Sequence, residues 1–113
     1  MPDSHYAFAV PILPGQLGTW KKMVEEIKGP KKKAYLASRK KAGIKHEHVW
    51  LQHTPQGDFA VVSVVGSGPT KMIEKFAASR LPFDRWFLGQ VAVIHGLQRD
   101  NMPPANRSYL NIV

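Results

Sequence analysis

The chain of 113 residues contains no cysteine. Disulfides, thiolate metal sites and a cysteine nucleophile are therefore excluded. This accords with a cytoplasmic location, which is the expectation here. No apolar run approaches the roughly 20 residues of a membrane-spanning helix, so no membrane segment is expected. The opening residues, Met-Pro-Asp-Ser-His-Tyr, lack a basic region followed by an apolar core, and no signal peptide is expected. Phosphate-loop and dinucleotide signatures are missing. Gly66-Ser67-Gly68-Pro69-Thr70-Lys71 is glycine-rich, but its spacing fits neither pattern and Pro69 removes an amide donor, so it reads as a turn. There is no Gly-x-Ser-x-Gly elbow and no internal repeat. No cofactor is expected.

What is present is a single domain over residues 1–113, with 43% apolar residues, enough for one core. The net charge of +8 is unevenly placed. Residues 21–45 hold ten of the sixteen basic residues and only Glu25 and Glu26 as acids; the remainder is neutral. Such a patch attracts nucleic acid, anionic lipid or an acidic partner, but a solvated helix face is the simpler account.

Residues 6–13 read as a strand, with Tyr6, Phe8, Val10 and Ile12 on one face. Residues 16–28 read as a helix: Trp20, Met23, Val24 and Ile27 recur at the spacing of one buried stripe. After Gly29-Pro30 a second helix is predicted over 31–42, with Ala34, Tyr35, Leu36 and Ala42 as its apolar residues. A hairpin follows. Its first strand alternates, placing His46, His48, Trp50 and Gln52 on one face and Glu47, Val49, Leu51 and His53 on the other. Pro55-Gln56-Gly57 supplies the turn. Its second strand, 58–65, is apolar on nearly every residue and needs cover on both faces. Helices are predicted from Pro69 to about residue 79 and over 83–95, a loop over 98–107, and a last strand over 108–113. The β-branched residues within 90–95 also permit a strand there.

This order is β-α-β-β-α-β with an extra helix before the last strand. It predicts an α+β, ferredoxin-like fold: a four-stranded antiparallel sheet with helices on one face. The strand over 58–65 would then leave an apolar face open, which a second copy would cover. With this order and open face, residues 6–97 resemble the dimeric α+β barrel superfamily, and the segments Val49-Trp50-Leu51-Gln52, Gly57-Asp58-Phe59 and Pro82-Phe83-Asp84-Arg85-Trp86-Phe87 look like those of a small family within it. That superfamily includes small monooxygenases of antibiotic-biosynthesis type and stress-responsive barrel proteins. The resemblance implies a homodimer and a small hydrophobic ligand between sheet and helices. It transfers no catalytic residue.

Three constellations carry candidate chemistry. His46 and His48, on one strand face, have metal-like spacing and would need a third ligand from His5, His95 or Asp58. A solvent-facing strand is the preferred reading, and no metal centre is expected. His48 is the best candidate for a general base, with Trp50 and either Tyr6 or Phe8 as an aromatic wall for a planar organic ligand. Burial of Trp50 at a dimer interface is the competing reading. Arg85 would anchor a ligand carboxylate or pair with Asp58 or Glu74, while Asp84 caps the helix that starts at Pro82. The function expected is thus a homodimeric barrel that binds, or transforms by cofactor-independent oxygenation or isomerisation, a small organic ligand. A nucleic-acid-binding ferredoxin-like domain and a purely structural dimer are the alternatives. Against nucleic acid, the charge lies on helices, away from the sheet face that would stack bases.

Overall fold

A computed structural model describes residues 3–97 and 106–112. The elements are β1 (Ser4–Pro11), α1 (Leu17–Lys28), α2 (Lys32–Lys41), β2 (Ile44–Thr54), β3 (Gly57–Gly66), a 3₁₀ turn (Pro69–Lys71), α3 (Met72–Ala78) and α4 (Pro82–His95). The sheet has three antiparallel strands in the order β1-β3-β2.

The class is α+β, but among the described residues the expected four-stranded sheet is not formed. Residues 108–112 have no regular structure; Tyr109, Leu110 and Ile112 are largely exposed. Strand propensity alone does not make a strand; it needs a neighbour to supply its hydrogen bonds and cover its side chains. β1 is consequently an edge among the described residues. β3 is central, as its two-sided apolar sequence requires. Residues 98–105, most of the expected polar loop, and Val113 lie outside the described residues. Residues 90–95 are helical and not extended.

Alternation sorts the sheet into two faces. The face under the helices carries the cross-strand rows Tyr6–Val64–Glu47, Phe8–Val62–Val49 and Val10–Ala60–Leu51. The other face carries His5–Val65–His46, Ala7–Ser63–His48, Ala9–Val61–Trp50 and Pro11–Phe59–Gln52. Two apolar clusters hold helices to sheet. Trp20 and Met23 of α1 and Ile94 of α4 meet Val10, Ile12 and Ala60. Met72 and Phe76 of α3 meet Ala42, Ile44, Val62 and Val64. The end of α4 is tied to the end of β1 by the Leu13 amide, which donates to the Ile94 carbonyl at 2.8 Å.

Helix α2 departs from the apolar stripe expected of it. Its buried residues are Ser38 and Arg39, while Leu36 is 55% exposed and Ala34 is exposed. The inward stripe is Tyr35, Ser38, Arg39 and Ala42, which has helical spacing but polar chemistry. This inversion shapes the site described next.

Candidate functional site

Between the sheet and the helices lies a cavity of about 820 Å³. Tyr6, Phe8, Val49 and Val62 form much of its sheet-side wall; Trp20, Met23, Met72 and Phe87 are among the helical residues facing them. This wall is mostly hydrocarbon. At one end the cavity reaches Tyr35, Arg39 and Glu47.

Those three side chains form a buried polar network. Arg39 Nε donates to Glu47 Oε1 at 2.6 Å, and the two side chains are only 5% and 8% exposed. The Tyr35 hydroxyl donates to the same oxygen at 2.6 Å. Arg39 Nη1 reaches Ser38 Oγ at 3.4 Å, and the Ser38 hydroxyl donates to the buried Asp84 carboxylate through a short hydrogen bond. The guanidinium carbon stands 4.5–4.6 Å from the ring centres of Tyr35, Phe76 and Phe87. Cation–π attraction of this kind strengthens when water is excluded. Burial raises the Tyr35 phenol well above its ordinary value, and the adjacent Glu47 charge raises it further, so the hydroxyl stays a donor. Every buried side-chain polar atom among the described residues has a partner.

His95 also lines the cavity. Its Nδ1 is 2.7 Å from the Pro11 carbonyl oxygen, which accepts and thereby fixes Nδ1 as the protonated nitrogen. Burial lowers its pKa from the ordinary 6.5, against a smaller opposing effect of the Pro11 bond. The ring is thus held neutral, with Nε2 as its basic atom.

The residues singled out in the sequence are divided between two faces. Tyr6 and Phe8 line the cavity. His48 and Trp50 lie on the opposite sheet face, where their rings stack at 3.8 Å, so the four do not share a wall. His46 is 6.1 Å from His48, centre to centre, and His5 Nε2 is 3.0 Å from Ser63 Oγ. Among the described residues no group of three or more His, Asp or Glu is placed to hold a metal ion. Arg85 is exposed, does not line the cavity and makes no ion pair among the described residues; Asp58 pairs instead with His53. Asp84 is buried against Ser38 and does not stand as a free cap. Of the basic segment, Lys28, Lys31 and Lys45 pair with Glu25, Glu26 and Asp3, while Lys32, Lys33, Lys40 and Lys41 are exposed on α2.

The residues missed were Tyr35, Ser38, Arg39 and Glu47 acting together, and His95 as a cavity residue. Glu47 had the inward parity of Val49 and Leu51, and the four α2 positions had helical spacing. Both signals were readable, but they involve polar residues in places usually assigned to apolar ones.

No helix among the described residues is long and apolar enough to cross a membrane. Compared with known protein families and with curated proteins, the chain matches none of them.

Proposed function

We propose that this protein binds a small, mostly apolar organic molecule in the cavity between sheet and helices. The observation that carries the reading is the cavity itself: about 820 Å³, walled largely by hydrocarbon, with a buried Arg39–Glu47 pair at its edge. Ligand sites commonly have this volume and this mixture of apolar wall and few fixed polar groups. In this reading Tyr6 and Phe8 contact the ligand, while His48, Trp50 and Arg85 do not. The test is titration with the neutral fluorophore N-phenyl-1-naphthylamine. Saturable binding to the wild type is expected, with loss in Val49→Trp, which fills the cavity from the β2 wall. A folded wild type that leaves the fluorophore free would remove the reading.

The open sheet face supports a second part of the proposal, that two copies pack face to face. Phe59, Val61 and Val65 are only half-buried there, beside Trp50 at 46% exposure. Apolar side chains gathered on one sheet face are a common basis for association.

A further inference from the structure

Three of the five histidines lie on the open face of the sheet. His5 of β1 and His46 of β2 stand on either side of Val65, and His48 stands beside Ser63 in the next row. All three are exposed. His46, His48 and Trp50 form a line of rings along β2, with successive centres 6.1 Å and 3.8 Å apart. His5 Nε2 is 3.0 Å from Ser63 Oγ. The other two histidines are engaged elsewhere: His53 pairs with Asp58, and His95 is buried on the cavity side.

Resting on the face-to-face dimer, we infer that acid takes it apart: protonation of His5, His46 and His48 separates the two copies. Histidine is the side chain that gains its charge between about pH 7 and pH 5. With the imidazoles neutral, a second copy suits this face. From the His5–Val65–His46 row to the Pro11–Phe59–Gln52 row, the three strands present no fixed charge. Two such faces meet without local repulsion, although each chain carries +8.

Protonation removes that compatibility, because nothing on the face compensates it. Asp3 and Lys45 adjoin the histidine end and pair with each other at 3.0 Å. The acids of β2 and β3, Glu47 and Asp58, have the opposite parity and point away from the face. Two-fold packing then offers two arrangements. With the axis along the strands, each histidine row meets the same row of the other copy, and imidazolium faces imidazolium. With the axis across the strands, the histidines meet the Phe59 row and lose water to apolar side chains. Both oppose the charged form. The indole face of Trp50 attracts a charged His48, but one ring does not replace the water lost by three cations in each copy.

The experiment is analytical ultracentrifugation over a concentration series at pH 7.5 and pH 5.5, with circular dichroism recorded at both. Each imidazole that must stay neutral in the dimer weakens association about tenfold at pH 5.5, one unit below histidine's ordinary 6.5. Two such groups among the six in the pair raise the dimer Kd about a hundredfold, the smallest change expected of the wild type. The triple variant His5→Gln, His46→Gln, His48→Gln should shift less than about tenfold. His95→Gln should keep the full shift, which separates the face from the acid sensitivity of the fold. If the triple variant does not associate at pH 7.5, the three single variants replace it, and each should lose part of the shift. An equal Kd at both pH values in the wild type overturns the inference and leaves the dimer standing. So does an undiminished shift in the triple variant or in all three single variants. A wild type that is monomeric at pH 7.5 removes the dimer reading and the inference with it.

Discussion

Arg39 Nε lies 2.6 Å from Glu47 Oε1, joining the only inward-facing charge of β2 to the buried charge of α2. Both ions are out of water, so each depends on the other. Removing one partner, as in Arg39→Met or Glu47→Leu, should destabilise the fold by about 3–5 kcal/mol. The double variant should recover most of that loss, because no uncompensated charge remains. Urea unfolding of the four proteins in this cycle measures the coupling. Additive losses would mean that the two charges do not depend on one another.

His95 gives the fold a pH dependence of defined sign. Burial depresses its folded pKa below 6.5, so the unfolded chain binds the proton more readily. The stability it contributes is complete above the ordinary pKa and is lost as pH falls from there through the folded value. The midpoint of chemical denaturation of the wild type should fall as pH drops from about 7 to about 5. His95→Gln should lose less over that interval. Identical slopes for both proteins would assign the acid sensitivity to other groups.

How much of this was legible depends on what each signal consisted of. The hairpin was readable because β3 is apolar at almost every residue and Pro55-Gln56-Gly57 separates it from an alternating partner. The stripe of Trp20 and Met23 placed α1 correctly for the same reason: burial and hydrophobicity coincide there. They diverge in α2, where Arg39 is buried and Leu36 is exposed. An arginine is seldom buried unless paired, and its partner Glu47 is eight residues away on another element, so no local pattern announces it. The segment 108–112 failed for the complementary reason. Tyr109, Leu110 and Ile112 have strand chemistry, but a ladder partner is not a property of the segment itself.

Gly66 closes the sheet at the point where all three strands meet, opposite both Ser4 and Ile44. A Cβ there would overlap the Gly43 carbonyl oxygen and lie 2.9 Å from the Ile44 Cα. Both obstacles are backbone, which cannot rotate aside. Gly66→Ala should therefore cost about 3 kcal/mol, in the upper range for overpacking. Gly89→Ala is the control: it meets nothing within 4 Å, and alanine favours the helix there. Thermal unfolding should show a large drop for the first and little change or a gain for the second.

The open face makes the most direct claim about assembly. Val61 sits at its centre, between Ala9 of β1 and Trp50 of β2, and points away from the helices. A second copy laid on this face would bury Val61, Phe59 and Trp50 together. Light scattering should then give the wild type twice the chain mass of 12.7 kDa. Val61→Lys should give a monomer, because a lysine at the middle of an apolar contact is buried without a partner. The helices and cavity lie on the other side of the sheet, so the variant should keep its helical circular dichroism and its fluorophore binding. Lys40→Glu, on the exposed face of α2, should leave the mass unchanged. A wild type that scatters as a monomer at micromolar concentration would leave the apolar face to some other occupant, and the face-to-face dimer would be abandoned.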